Sequence, residues 1–220
     1  MSTVPASTPP ADRPKPGRPD SGNAPGAGHR ERLLDAMAGS IREHGYRGTT
    51  VADVVRRART SRRTFYQHFE DRDACFLELF DLANAELEQR IAKAVNPDVP
   101  WPEQVDLTIG AYIDEVAAEP ELALAFTHEL TAIGDLGADR QRRELERFAD
   151  LLVALVAAVG ATDPKVEPIQ KTTAIMITGG LREVVAYGLE NDQDLGGIKV
   201  AAAGLIKAVL DPDHRHWATA

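Results

Sequence analysis

Cysteine is nearly absent from this chain: Cys75 is the only one among 220 residues. A single thiol can neither close an internal disulfide nor build a thiolate metal cluster, which fits a reducing compartment. Apolar runs are short. None approaches the roughly 18 consecutive residues of a membrane-crossing helix, and no apolar stretch near the start reads as a signal peptide. A cytoplasmic protein with no membrane partner is expected. Catalytic signatures are missing too: there is no G-x-G-x-x-G, no P-loop, no G-x-S-x-G and no H-E-x-x-H. That removes the common carriers of nucleotide, hydrolase and zinc-protease chemistry. No cofactor and no metal are expected. His214 and His216 sit in a polar terminus, where fraying outweighs weak metal capture.

What is present is ordinary globular material, 43% hydrophobic and 27% charged, in a chain long enough to bury a core and short for more than two domains. Charge is unevenly divided. The net charge is -9, yet residues 30–80 hold ten Lys+Arg against eight Asp+Glu, while residues 81–220 hold twelve against 24. Acidity in the second part would discourage that side of the molecule from touching a polyanion.

The positive charge has a local origin. Residues 51–69 carry five Arg and one Asp, within the run TVADVVRRARTSRRTFYQHF that starts at Thr50. Thr50 three positions before Asp53 is a capping-box start for a short helix bearing Val51, Val54, Val55 and Ala58. Arg59 and Thr60 break its pattern. Ser61 can then cap a second helix, about Arg62 to His68, by accepting from its free N–H groups. Phe65 and Phe69, four apart, share the inner face of that helix. Its other faces carry Arg62, Arg63, Thr64, Tyr66, Gln67 and His68. Two guanidinium groups in a first turn oppose the helix macrodipole, so their use lies outside the helix. Arginine forks onto guanine, glutamine pairs with adenine, a threonine methyl meets thymine, and tyrosine, histidine and the helix N-terminus hold phosphates. From spacing and charge alone, solvated arginines on an ordinary helical hairpin stay an alternative.

The stretch from about Arg30 to Phe80 resembles the N-terminal domain of the TetR family of transcriptional regulators. The resemblance rests on an apolar helix ending His44-Gly45-Tyr46, then Thr49-Thr50-Val51 with Asp53-Val54. It continues through Ser61-Arg62-Arg63-Thr64-Phe65-Tyr66-Gln67-His68-Phe69, then Asp71-Arg72-Asp73-Ala74 and Phe76-Leu77. Members usually place a glycine in the inter-helix turn, where this chain has Arg59 and Thr60. A left-handed Arg59 would cost on the order of 1 kcal/mol, offset if the side chain reaches a phosphate. Thr50, Arg59 and Arg72 complete the candidate DNA contacts.

The expected fold is all-α: a three-helix helix-turn-helix DNA-binding domain followed by a larger helical ligand-binding and dimerisation domain. Residues 1–28, rich in Pro, Gly, Ala and Ser, read as a disordered tail; 29–75 as the DNA-binding domain; 76–212 as the effector-binding and dimerisation domain; 213–220 as a flexible terminus. Helices are expected over about 30–44, 71–95, 103–118, from the Glu119-Pro120 step to Ile133, 139–159, 166–189 and 195–210. Gly134 and Gly137 separate two of these. The charged opening of the 139–159 helix reads as solvated, its second half as central. Cys75 reads as buried packing.

Trp101, Tyr112, Phe126, His128, Phe148 and Met176 are candidate effector contacts in the middle helices, although each taken singly fits a core role. Small and apolar residues on the last two helices form a candidate dimer face. They are Thr173, Ile177, Gly180 and Val184 on the first and Ile198, Ala202, Leu205 and Val209 on the second. The resemblance implies dimerisation through these helices as a four-helix bundle. It implies further a homodimeric repressor that leaves a palindromic double-stranded operator when a small-molecule effector binds. A DNA-binding module without an effector, or an all-helical enzyme, is the alternative.

Overall fold

The computed structural model describes residues 28–211, and every regular element among them is helical. The expected tail and terminus lie outside the described residues, apart from Gly28.

Helix α1, His29–Gly48, opens with Glu31 accepting from the Gly28 N–H at 3.1 Å and buries Leu33, Leu34, Met37 and Ile41. At Gly45 the backbone turns left-handed, φ 67°, and breaks the regular geometry. Only glycine enters that region cheaply. The turn folds Tyr46 back, so its ring packs on Phe76 at 4.2 Å and its hydroxyl donates to Asp73 at 2.5 Å. Helices α2, Val51–Arg57, and α3, Arg62–His68, follow, then α4, Arg72–Ala94, capped by Asp71 accepting from the Ala74 N–H at 2.7 Å. Next come α5, Trp101–Ala118, and α6, Pro120–His128, with proline inside the first turn of each.

The helix expected to reach Ile133 stops at His128, and a 3-10 turn covers Thr131–Ile133. Helix α7, Asp135–Thr162, starts earlier than the glycines suggest. Gly137 lies inside it, and a Cβ there would stand 1.9 Å from the Leu130 carbonyl oxygen. That glycine serves close approach and is not a break. Helix α8 is Lys171–Glu190, shorter at its start than expected, and α9 is Leu195–Leu210, capped by Asp194.

Two apolar clusters result. One joins α1, α2, α3 and the first half of α4, and it continues into Leu122, Ala125 and Leu130 after α5. Packing therefore runs unbroken across residues 75 and 76, and α6 shares the head's core. The aromatic rings of Phe76 and Phe80 each lie 5.4 Å from Phe126 on α6. The second cluster joins α5, α7, α8 and α9 through Ile113, Val156, Val185 and Ile206. Ion pairs from Arg42 to Glu119 (2.6 Å) and from Arg47 to Glu129 (3.0 Å) tie α1 to both ends of α6. Arg140 of α7 reaches Asp81 and the Leu77 carbonyl on α4. No helix among the described residues is long and apolar enough to cross a membrane.

Candidate nucleic-acid interface and effector cavity

The α2–α3 pair is built by its caps. The Thr50 hydroxyl accepts from the Asp53 N–H at 3.3 Å and donates to Asp53 Oδ2 at 2.6 Å, while the Thr50 N–H donates to the same carboxylate at 3.1 Å. These bonds, that of the Thr50 hydroxyl foremost, hold the Asp53 carboxyl below its usual range. In the turn the Thr60 N–H donates to the Val55 carbonyl at 3.0 Å, and Arg59 sits at φ 49°. Arg59 therefore takes the left-handed conformation that a glycine would adopt at less cost. Ser61 Oγ accepts from the Thr64 N–H at 3.0 Å and starts α3. Phe65 and Phe69 are buried. Arg62, Arg63, Tyr66 and Gln67 are exposed; Thr64 and His68 are half-buried, with the His68 ring stacked on His29 at 6.4 Å.

The five arginines of this segment divide into two groups. Arg56 pairs with Asp53 at 2.7 Å and Arg57 with Glu43 at 2.6 Å. Arg59, Arg62 and Arg63 have no acidic partner among the described residues. On a chain with an acidic excess, three exposed guanidinium groups left without carboxylates form the electrostatic footprint of a phosphate-binding face. Arg72 stands apart from them. It donates to the Thr49 carbonyl at 3.1 Å and to Asp73 at 3.1 Å, and it lies over the Tyr46 ring at 4.3 Å. That geometry makes it an internal strut holding the end of α1 on α4, and a phosphate would have to compete for it.

Between the two apolar clusters lies a cavity of about 750 Å³, within the roughly 300–1,000 Å³ of small-molecule sites. Helices α4 to α8 wall it, and Ala38 and Arg42 of α1 reach it. Of the six candidate effector contacts, Tyr112, Phe126 and Phe148 line it. Trp101, His128 and Met176 do not. Trp101 starts α5 and packs on the second cluster, His128 is exposed beside Glu190 at 2.7 Å, and Met176 is 66% exposed on the outer face of α8. Burial raises the Tyr112 hydroxyl to about 12. The lining also includes Asn84, Thr127, Gln141 and Glu144, none of which stood out in the sequence. The stripe Leu155, Leu152, Phe148 carries back by helical steps onto Glu144 and Gln141, which was the available signal.

Outside, α8 and α9 form a groove lined by Ile177, Gly180, Val184, Ile198, Ala202 and Leu205 of the candidate dimer face. Thr173 and Val209 are half-buried beside it and do not line it. Met176, Val184 and Leu205, which line the groove, are 40–66% exposed, an apolar surface of the kind that proteins cover. Ile177, Leu181 and Ile206 line both the groove and the cavity. One layer of side chains separates the two.

Residues 33–79 match the family model described as bacterial regulatory proteins, tetR family. Among known proteins, the chain is 25% identical over 118 residues to the uncharacterised HTH-type transcriptional regulator YhgD of Bacillus subtilis, a match covering 54% of this chain and 61% of that protein, under two thirds of its length. It is 22% identical over 197 residues to the uncharacterised HTH-type regulator YfiR of the same organism, covering 83% and 92%. Among solved structures, the transcriptional regulator FadR from Bacillus subtilis in complex with stearoyl-CoA superposes with a TM-score of 0.68 at 19% identity, over 79% of this chain and 95% of that one. At that identity the likeness concerns the fold.

Proposed function

We propose that this chain, a DNA-binding regulator whose N-terminal region is a tetR-family helix-turn-helix domain, acts as a homodimeric repressor released from a palindromic operator by a small-molecule effector. The observation that carries the reading is the outer face of α2–α3. Arg59, Arg62 and Arg63 stand exposed without carboxylates beside Tyr66 and Gln67, while the aromatic face of α3 is fixed in the core. One such head reads few bases, so useful specificity needs two heads on one site, spaced to successive major-groove faces. The exposed apolar groove of α8 and α9 supplies a surface for the second copy.

Effector control needs two sites that bias one equilibrium. The cavity supports a sensor over a DNA-binding module with a filled core. FadR from Bacillus subtilis, which shares the fold, was solved in complex with stearoyl-CoA, which is in keeping with a small-molecule effector for this chain. In this protein the shared wall of Ile177, Leu181 and Ile206 joins cavity to groove, and α6 joins cavity to head. A ligand that shifts either changes the spacing of the two heads.

Selection of duplexes from a random pool with the purified protein tests this. A palindromic consensus is expected, and a non-palindromic consensus or no enrichment at moderate salt would overturn the dimeric repressor. On the selected operator, Arg62→Ala and Arg63→Ala should each cost about 1–3 kcal/mol and relax base preference, as read by fluorescence anisotropy. Tyr66→Phe should weaken every duplex alike.

A further inference from the structure

The cavity wall contains a carboxylate whose hydrogen bonding is incomplete. Glu144 is 7% exposed and lines the cavity. Its Oε2 accepts from Arg147 Nη1 at 3.1 Å, but its Oε1 is buried without a partner. Arg147 also serves Glu88, so one guanidinium is shared by two carboxylates. Buried acceptors of this kind are normally satisfied, and this one belongs to a side chain that lines the cavity, so a small turn of the carboxylate would offer it to a donor there. A competing donor, Arg140 Nε, is buried and unpartnered one helical turn earlier. Arg140 is held on α4 by Asp81 and the Leu77 carbonyl, however, and does not bond to Glu144.

The charge of the lining points the same way. Asp35, Glu86, Glu115, Glu119, Glu121 and Glu144 stand against Arg42, Arg90 and Arg182. Each of those arginines is already engaged: Arg42 with Glu119 at 2.6 Å, Arg90 with Glu115 at 3.0 Å, and Arg182 with Glu183 at 2.9 Å. An entering anion would meet an acidic excess and no spare guanidinium, whereas a cation meets a favourable field. The rings of Tyr112, Phe126 and Phe148 line the same cavity, and aromatic surroundings favour an ammonium group over a carboxylate. Burial raises the pKa of Glu144 against the opposing pull of Arg147, and a cationic partner would favour the ionised form.

Resting on the effector reading above, we propose that the cavity takes an amphipathic amine: an apolar body whose protonated nitrogen donates to the Glu144 carboxylate, turned toward the cavity so that its open acceptor is used. The test is isothermal titration of the full-length protein at neutral pH with dodecylamine, dodecanol and dodecanoate, each below its micelle-forming concentration. The amine should bind roughly tenfold or more tighter than the carboxylate of equal length, and Glu144→Gln should bring the two within a few-fold of each other. Equal or tighter binding of dodecanoate, or a preference unchanged in Glu144→Gln, would overturn the amine while leaving the effector site standing. Binding of none of the three would overturn the amine and the effector reading together.

Discussion

The head and the body of this molecule treat their interiors differently. Around Phe65, Leu33, Met37 and Val54 the head is packed so that these side chains have no accessible surface, whereas the body leaves a partly open cavity of about 750 Å³ between its helices. Close packing makes a surface that presents Arg62 and Arg63 at fixed positions; an unfilled interior lets helices settle differently around different contents. On the proposed function a DNA reader has to be stiff and a sensor has to yield, and α6, which belongs to the head's core and to the cavity wall, lies between them.

The largest test of that contrast is aromatic truncation. Phe65→Ala should cost about 3–5 kcal/mol in urea unfolding and abolish DNA binding, whereas Phe148→Ala, at the cavity wall, should cost roughly half of that or less. Equal costs would mean that the body is as tightly packed as the head. Enlargement should separate them in the same sense. Ala36→Leu in the head core should destabilise by about 1–3 kcal/mol, while Ala123→Leu, whose extra atoms enter the cavity, should be tolerated to within about 1 kcal/mol. Arg59→Gly refines the account of the turn. It should raise stability by about 1 kcal/mol by removing a left-handed side-chain residue, yet weaken binding to all duplexes if Arg59 contacts a phosphate.

The smallest effect concerns the cap of α2. The Asp53 carboxyl is held below its usual range, so its contribution is present above the unfolded-state pKa and disappears as pH falls through the folded one. Asp53→Asn should therefore lower the thermal midpoint at neutral pH, with the gap to the parent closing below about pH 4. A gap independent of pH would assign the cap to something other than the charge.

Local features were legible because local chemistry decides them. The Thr50–Asp53 box, the Ser61 cap and the inward Phe65 and Phe69 all depend on residues within a few positions of one another; the left-handed conformation of Arg59 came from the structure. The C-terminal helix, Leu195–Leu210, was equally readable from its apolar spacing. The cavity lining was harder to read. Tyr112, Phe126 and Phe148 line it, but Trp101, His128 and Met176 lie elsewhere, because residue type says nothing about which helix passes opposite.

Residue order thus determined most of the helices, the Thr50 and Ser61 caps and the all-α class, since hydrogen bonds and periodicity act over one or two turns. Only the tertiary structure decided that Arg72 is a strut, that α6 shares the head's core, that Gly137 admits the Leu130 carbonyl, and that Glu144 is buried with an open acceptor. Each of those depends on helices distant in sequence meeting in space, where desolvation and contact are set by the neighbour and not by the chain on either side.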